Sequence, residues 1–156
     1  MKASREDATD DDVDEQFLAL LEGLRTSLPG VQVLFAFLLT APLQGKFSEL
    51  SDGQRGVFAT AFYAAGLSSV LLIAPSVHQR MRAPISGIRR RTRRHVVVAT
   101  WLTIVGTGFM GVAVAATTYL VSDLVFGTAT SVLATTVLSS TLVWSWVYLP
   151  LVAFRR

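Results

Sequence analysis

The sequence predicts an all-α protein, a four-helix transmembrane bundle preceded by an N-terminal amphipathic interfacial helix. Three observations carry that expectation. Long stretches of the chain hold no Lys, Arg, Asp, Glu or His. A composition of 51% hydrophobic and 16% charged residues leaves too few polar side chains to cover a water-facing surface for 156 residues. The remaining charges are segregated. Glu6, Asp7, Asp10, Asp11, Asp12, Asp14 and Glu15 lie near the start, and Arg80, Arg82, Arg89, Arg90, Arg91, Arg93 and Arg94 crowd one central loop.

Residues 1–11 read as a disordered acidic tail, with too little apolar surface to offset the entropy of ordering. An amphipathic helix is expected over 12–28, starting at Asp12 as N-cap with Glu15 three residues later, as in a capping box. Phe17, Leu21, Leu24 and Leu28 recur at i, i+4, i+7 and i+11 and make its apolar stripe. That stripe fits a bilayer interface against the protein's own helices, or a docking face for another protein. Pro29-Gly30 then reads as a break.

A four-helix transmembrane domain follows over 29–154, with spans at about 29–45, 56–74, 96–121 and 126–149. The uninterrupted apolar part of the first, Val31–Leu43, is about 13 residues or roughly 20 Å. A re-entrant segment is therefore the alternative to a full crossing there. Pro75 is expected to end the second span and Pro150 the fourth, and Ser122-Asp123 with Gly127 to make a tight hairpin between the third and fourth. Trp144, Trp146 and Tyr148 sit where an interfacial aromatic belt belongs.

The basic loop 75–95 sets the orientation. With four spans, Lys2, Arg5, Arg25, the seven loop arginines, Arg155 and Arg156 fall on one side, and only Lys46 and Arg55 on the other. The positive-inside rule then places both termini and the arginine loop in the cytoplasm. The same arginines are expected to bind anionic lipid headgroups. Nucleic acid is not an expected partner, because the basic run lacks interleaved aromatics or a recognisable module.

For chemistry the chain offers little. It has no cysteine, and no nucleophile–base, paired-carboxylate, phosphate-loop or metal-ligand pattern, so no enzyme activity, cofactor or metal is expected. Coupled ion exchange needs an ionisable group at membrane depth, whereas Glu22, Glu49, Asp52 and Asp123 are predicted at or outside the interfaces. The most suggestive intramembrane feature is one face of the fourth span, Thr128, Ser131, Thr135 and Ser139. With Gln32 these are candidate pore-lining residues of a homo-oligomeric channel or permease for ions or small solutes. The same hydroxyls also suit close helix packing. A non-conducting accessory or scaffold subunit of a larger membrane complex is the competing function, and a sodium:proton antiporter ranks third.

The stretch LLEGLRTSLPGVQVLFAFLLTAP, and LPGVQVLFAFLL within it, resembles a family of small bacterial four-span membrane proteins of unknown function. Relatives sometimes carry the label sodium:proton antiporter. The resemblance covers most of the chain from about Asp14 onward and implies the four-span architecture. It supplies no site residues. The implied location is the bacterial cytoplasmic (inner) membrane, multi-pass.

Overall fold

The computed structural model describes residues 3–82 and 93–153. Four α-helices appear in order: α1 Ala3–Thr40, α2 Asp52–Arg82, α3 Arg93–Phe126 and α4 Thr128–Val143, with α4 continuing as a π-helix over Trp144–Ala153. Two 3₁₀ turns, Ala41–Leu43 and Gly45–Glu49, join α1 to α2. Strands are absent among the described residues. Four segments are long and apolar enough to cross a membrane, Glu15–Leu43, Asp52–His78, Val96–Phe126 and Thr128–Val152. The shortest, with 25 residues, reaches past the ~30 Å hydrocarbon core at helical rise. The chain is a multi-pass membrane protein.

Every proline expected to stop a helix lies inside one: Pro29 in α1, Pro75 in α2 and Pro150 in the π-helical stretch. The physical reason is the solvent. Proline forfeits one backbone hydrogen bond, but ending the helix in hydrocarbon would strand several more N–H and C=O groups. One uninterrupted α1 therefore replaces the expected tail, amphipathic helix and separate first span. Its 29-residue candidate span removes the length argument for a re-entrant segment. Helix also extends back to Ala3, into the segment expected to be disordered. Adding residues to an existing helix is cheap compared with nucleating one, and acidic residues suit a helix N-terminus.

The turns are tighter than expected too. α3 runs through Ser122 and Asp123, and the chain reverses at Gly127 alone, whose φ of 85° suits a residue without Cβ. At the start of α2, Ser51 and Gln54 form a reciprocal capping box: the Ser51 N–H donates to Gln54 Oε1 at 3.0 Å, and the Gln54 N–H donates to Ser51 Oγ at 3.3 Å.

Burial repeats every seven residues along each of the first three helices. The buried positions are Phe17, Leu24, Val31 and Leu38 in α1, and Ala99, Gly106, Ala113 and Leu120 in α3. In α2 they include Phe58, Ala61, Ala65, Ser68, Leu72 and Pro75, alternating three and four apart. A seven-residue period keeps one seam inward along helices packed at shallow angles.

Chain contacts divide the molecule into two units. The first comprises residues 1–33 and 67–108, the second residues 34–66 and 109–156. In the first, Leu72 is fully buried, and a Cβ added at Gly106 would stand 3.0 Å from Leu72 Cγ and Cδ2 and 3.1 Å from Leu71 Cβ. A Cβ there would require the two leucine side chains to shift by a few tenths of an ångström. In the second, Leu38, Phe58, Ala61, Ala64, Ala65, Ala113 and Leu120 form the core, flanked by Phe35, Phe47 and Phe62. The Phe47 and Phe58 rings meet edge-on at 4.9 Å.

Candidate functional site

The α4 face proposed from sequence as a pore wall is not one surface. Ser131 is fully buried and its hydroxyl donates to the Thr128 carbonyl at 2.8 Å. Thr135 and Ser139 are half-buried, and Thr135 Oγ1 is sealed from solvent without a hydrogen-bond partner. Thr128 is exposed and donates through Oγ1 to Asp123 Oδ1 at 2.9 Å. Gln32 is exposed on α1. Ser131 thus has no accessible surface in this structure. Among the outward-facing hydroxyls on α4, Thr136 and Thr141 donate one turn back to the Val132 and Val137 carbonyls at 2.7 and 2.9 Å. Such back-bonding satisfies a hydroxyl in a medium without water.

The interfacial stripe also turns inward. Phe17 and Leu24 are buried, while Leu21 and Leu28 are half-buried. Phe17 and Leu24 are thus covered by other residues of the chain. The arginine cluster falls mostly outside the described residues: Arg89, Arg90 and Arg91 lie beyond them, as do the side chains of Arg82 and Arg93. Arg80 and Arg94 are exposed.

Two polar constellations join α2 to α3 without a sequence motif that predicts them. Inside the first unit, Ser68 is fully buried on α2 and its hydroxyl donates to the Gly106 carbonyl of α3 at 2.8 Å. Residue type alone does not mark it, since Ser69 stands beside it. The seven-residue period shared with Ala61 and Pro75 does mark it. In the second unit, Gln54 Nε2 donates to Asp123 Oδ2 at 2.8 Å. Gln54 therefore closes the capping box of α2 with its oxygen and holds Asp123 with its nitrogen. Asp123, accepting from Thr128 as well, ties the end of α3 to the start of α4 and to α2. The signal available was Ser51-x-x-Gln54.

The remaining carboxylates near the helix ends, Glu49 and Asp52, are exposed. A shallow cleft in the second unit is lined by Leu34, Val114, Thr117, Thr118, Val121 and Ser122. The Thr117 hydroxyl donates to the Ala113 carbonyl at 2.8 Å.

No curated protein and no solved structure matches the chain. A family model described as a family of unknown function, DUF6328, matches residues 6–150. With nearly the whole chain matched, including all four apolar helices, the protein belongs to the DUF6328 family.

Proposed function

We propose that this protein is a non-conducting membrane subunit that works through helix contacts within the bilayer, as an accessory or scaffold element of a membrane assembly. The placement of Ser131 carries the reading. Ser131, in the middle of the face that would have to line a water path, is turned into its own chain, and its hydroxyl is spent on its own helix. Hydroxyls used this way add packing contacts and leave little to lower the cost of moving an ion. On this reading no catalysis and no cofactor are involved. Both termini face the cytoplasm of a bacterium, and the arginine loop grips anionic headgroups of the inner membrane.

Conduction is the second reading. The cleft carrying Thr117, Thr118 and Ser122 favours it, as do the outward-facing Gln32, Thr136 and Ser140, which an oligomer would bring around an axis. Coupled sodium:proton exchange has least support. Its best carboxylate, Asp123, is engaged by Gln54 and Thr128 at helix ends. Flux of monovalent cations and anions into liposomes holding the purified protein separates the readings. Flux no faster than in empty liposomes is expected. Flux above that background, reduced by Thr117→Val or Thr118→Val, would replace the scaffold reading with conduction.

A further inference from the structure

Gln32 is the carboxamide within the apolar part of α1. It lies roughly 10 Å along α1 from Arg25, the last charged residue before Lys46. That distance carries it well into a hydrocarbon core of ~30 Å when Arg25 sits at the headgroups. It is exposed on the helix surface, and its carboxamide has no hydrogen-bond partner among the described residues. The hydroxyls described on α1 behave differently. Thr26 and Ser27 donate to the Gly23 carbonyl at 2.8 and 3.2 Å, and Thr40 donates to the Phe37 carbonyl at 2.9 Å. Hydroxyls can satisfy themselves by donating to the preceding turn, but a carboxamide also carries an acceptor oxygen, and mid-helix N–H groups are already committed to the backbone ladder. Leaving such a group in lipid costs several kcal/mol.

We infer that Gln32 is the contact point at which α1 of one copy pairs with α1 of a second copy of this chain. The occupant follows from the chemistry of the group. A carboxamide is its own complement: across a twofold axis normal to the membrane, each Gln32 donates its N–H to the other's carbonyl oxygen. Two copies with the same topology bring Gln32 to the same depth, so the two amides meet without any further matching. Pro29, exposed one turn away on the same face, has no N–H and presents a short ring, which allows a second helix to approach closely. This goes beyond the scaffold reading by naming a partner and rests only on the membrane placement of α1.

The test is dimerisation of the full-length protein in liposomes, read by energy transfer between copies labelled at the N-terminal amine, over a range of protein-to-lipid ratios. Gln32→Leu is expected to raise the dissociation constant by roughly five- to thirtyfold, and Gln32→Asn, which keeps the amide, by much less. A second measurement does not depend on that variant folding. Because the chain has no cysteine, Val33→Cys, next to Gln32 and exposed, reports proximity by disulfide formation. Val70→Cys, exposed on α2, is the control. Crosslinking at Val33 well above that at Val70 supports the pairing. A wild-type protein that stays monomeric at every dilution, an unchanged dissociation constant in Gln32→Leu, or equal crosslinking at both positions overturns it. A flux result against the scaffold reading would leave these outcomes untouched.

Discussion

The Ser68–Gly106 and Gln54–Asp123 contacts each join α2 to α3 through one polar bond, yet they solve different problems. Ser68 sits on the buried α2 seam, beside the close packing of Leu72 against Gly106, and its bond reaches the Gly106 backbone carbonyl. Gln54 and Asp123 sit at helix ends, where uncompensated backbone groups need caps and a carboxylate keeps access to water. In the first case geometry makes the hydrogen bond available. In the second, charge and capping chemistry make the geometry. The lesson is that α2–α3 packing within the apolar interior depends on shape first and polarity second, while the end contacts depend on the reverse.

Substitutions can break or sharpen that contrast. The largest effect is expected from Gly106→Ala, whose methyl must displace the fully buried Leu72 and loosen the Ser68 bond as well. Thermal unfolding in detergent micelles, followed by circular dichroism, should register a loss of about 1–3 kcal/mol. Gly108→Ala serves as its counterpart, since nothing lies within 4 Å of a Cβ there, and it should be neutral or raise stability by up to ~1 kcal/mol. Equal damage from both variants would mean that close approach at Gly106 is not the controlling feature.

Next in size comes Asp123→Ala, which removes the acceptor of both Gln54 and Thr128 and should cost about 1–2 kcal/mol. Gln54→Ala should match most of that loss, and the double variant should lose less than the two singles summed, because they share one bond. Strict additivity in that cycle would show that the bond contributes nothing measurable. Ser68→Ala follows at about 0.5–1.5 kcal/mol, since alanine fits the same small space while the Gly106 carbonyl loses only its second, side-chain donor. Ser131→Ala should be smallest, under about 1 kcal/mol, because its hydroxyl bonds only within α4. A loss above 2 kcal/mol there would indicate that Ser131 meets a group outside its own helix.

How much was legible beforehand depends on which physics each residue answers to. The four apolar helices were readable because burial in lipid demands long runs without charge, and the interruptions at Lys46–Arg55 and in the arginine loop are charged. The prolines misled because their rules come from water, where an open backbone group finds a solvent partner. Pro29, Pro75 and Pro150 therefore stand inside helices. The α4 hydroxyl face was seen as a face, but its direction was not. Thr128, Ser131, Thr135 and Ser139 share a stripe under either reading, and only coordinates distinguish a buried Ser131 from one facing a channel.

Local rules acting on nearest neighbours were enough to specify the helical class, the number of apolar helices and the segregation of charge, since each follows from transfer energies summed along a stretch of chain. Which side of each helix turns inward was settled by packing in three dimensions. Small residues at Ala61, Ala65, Gly106 and Ala113 occur on helices whose every face is apolar, so hydrophobicity has no preferred direction there. Steric fit between neighbouring helices, and the partners it makes reachable for Ser68 and Asp123, supplies the direction that periodicity lacks.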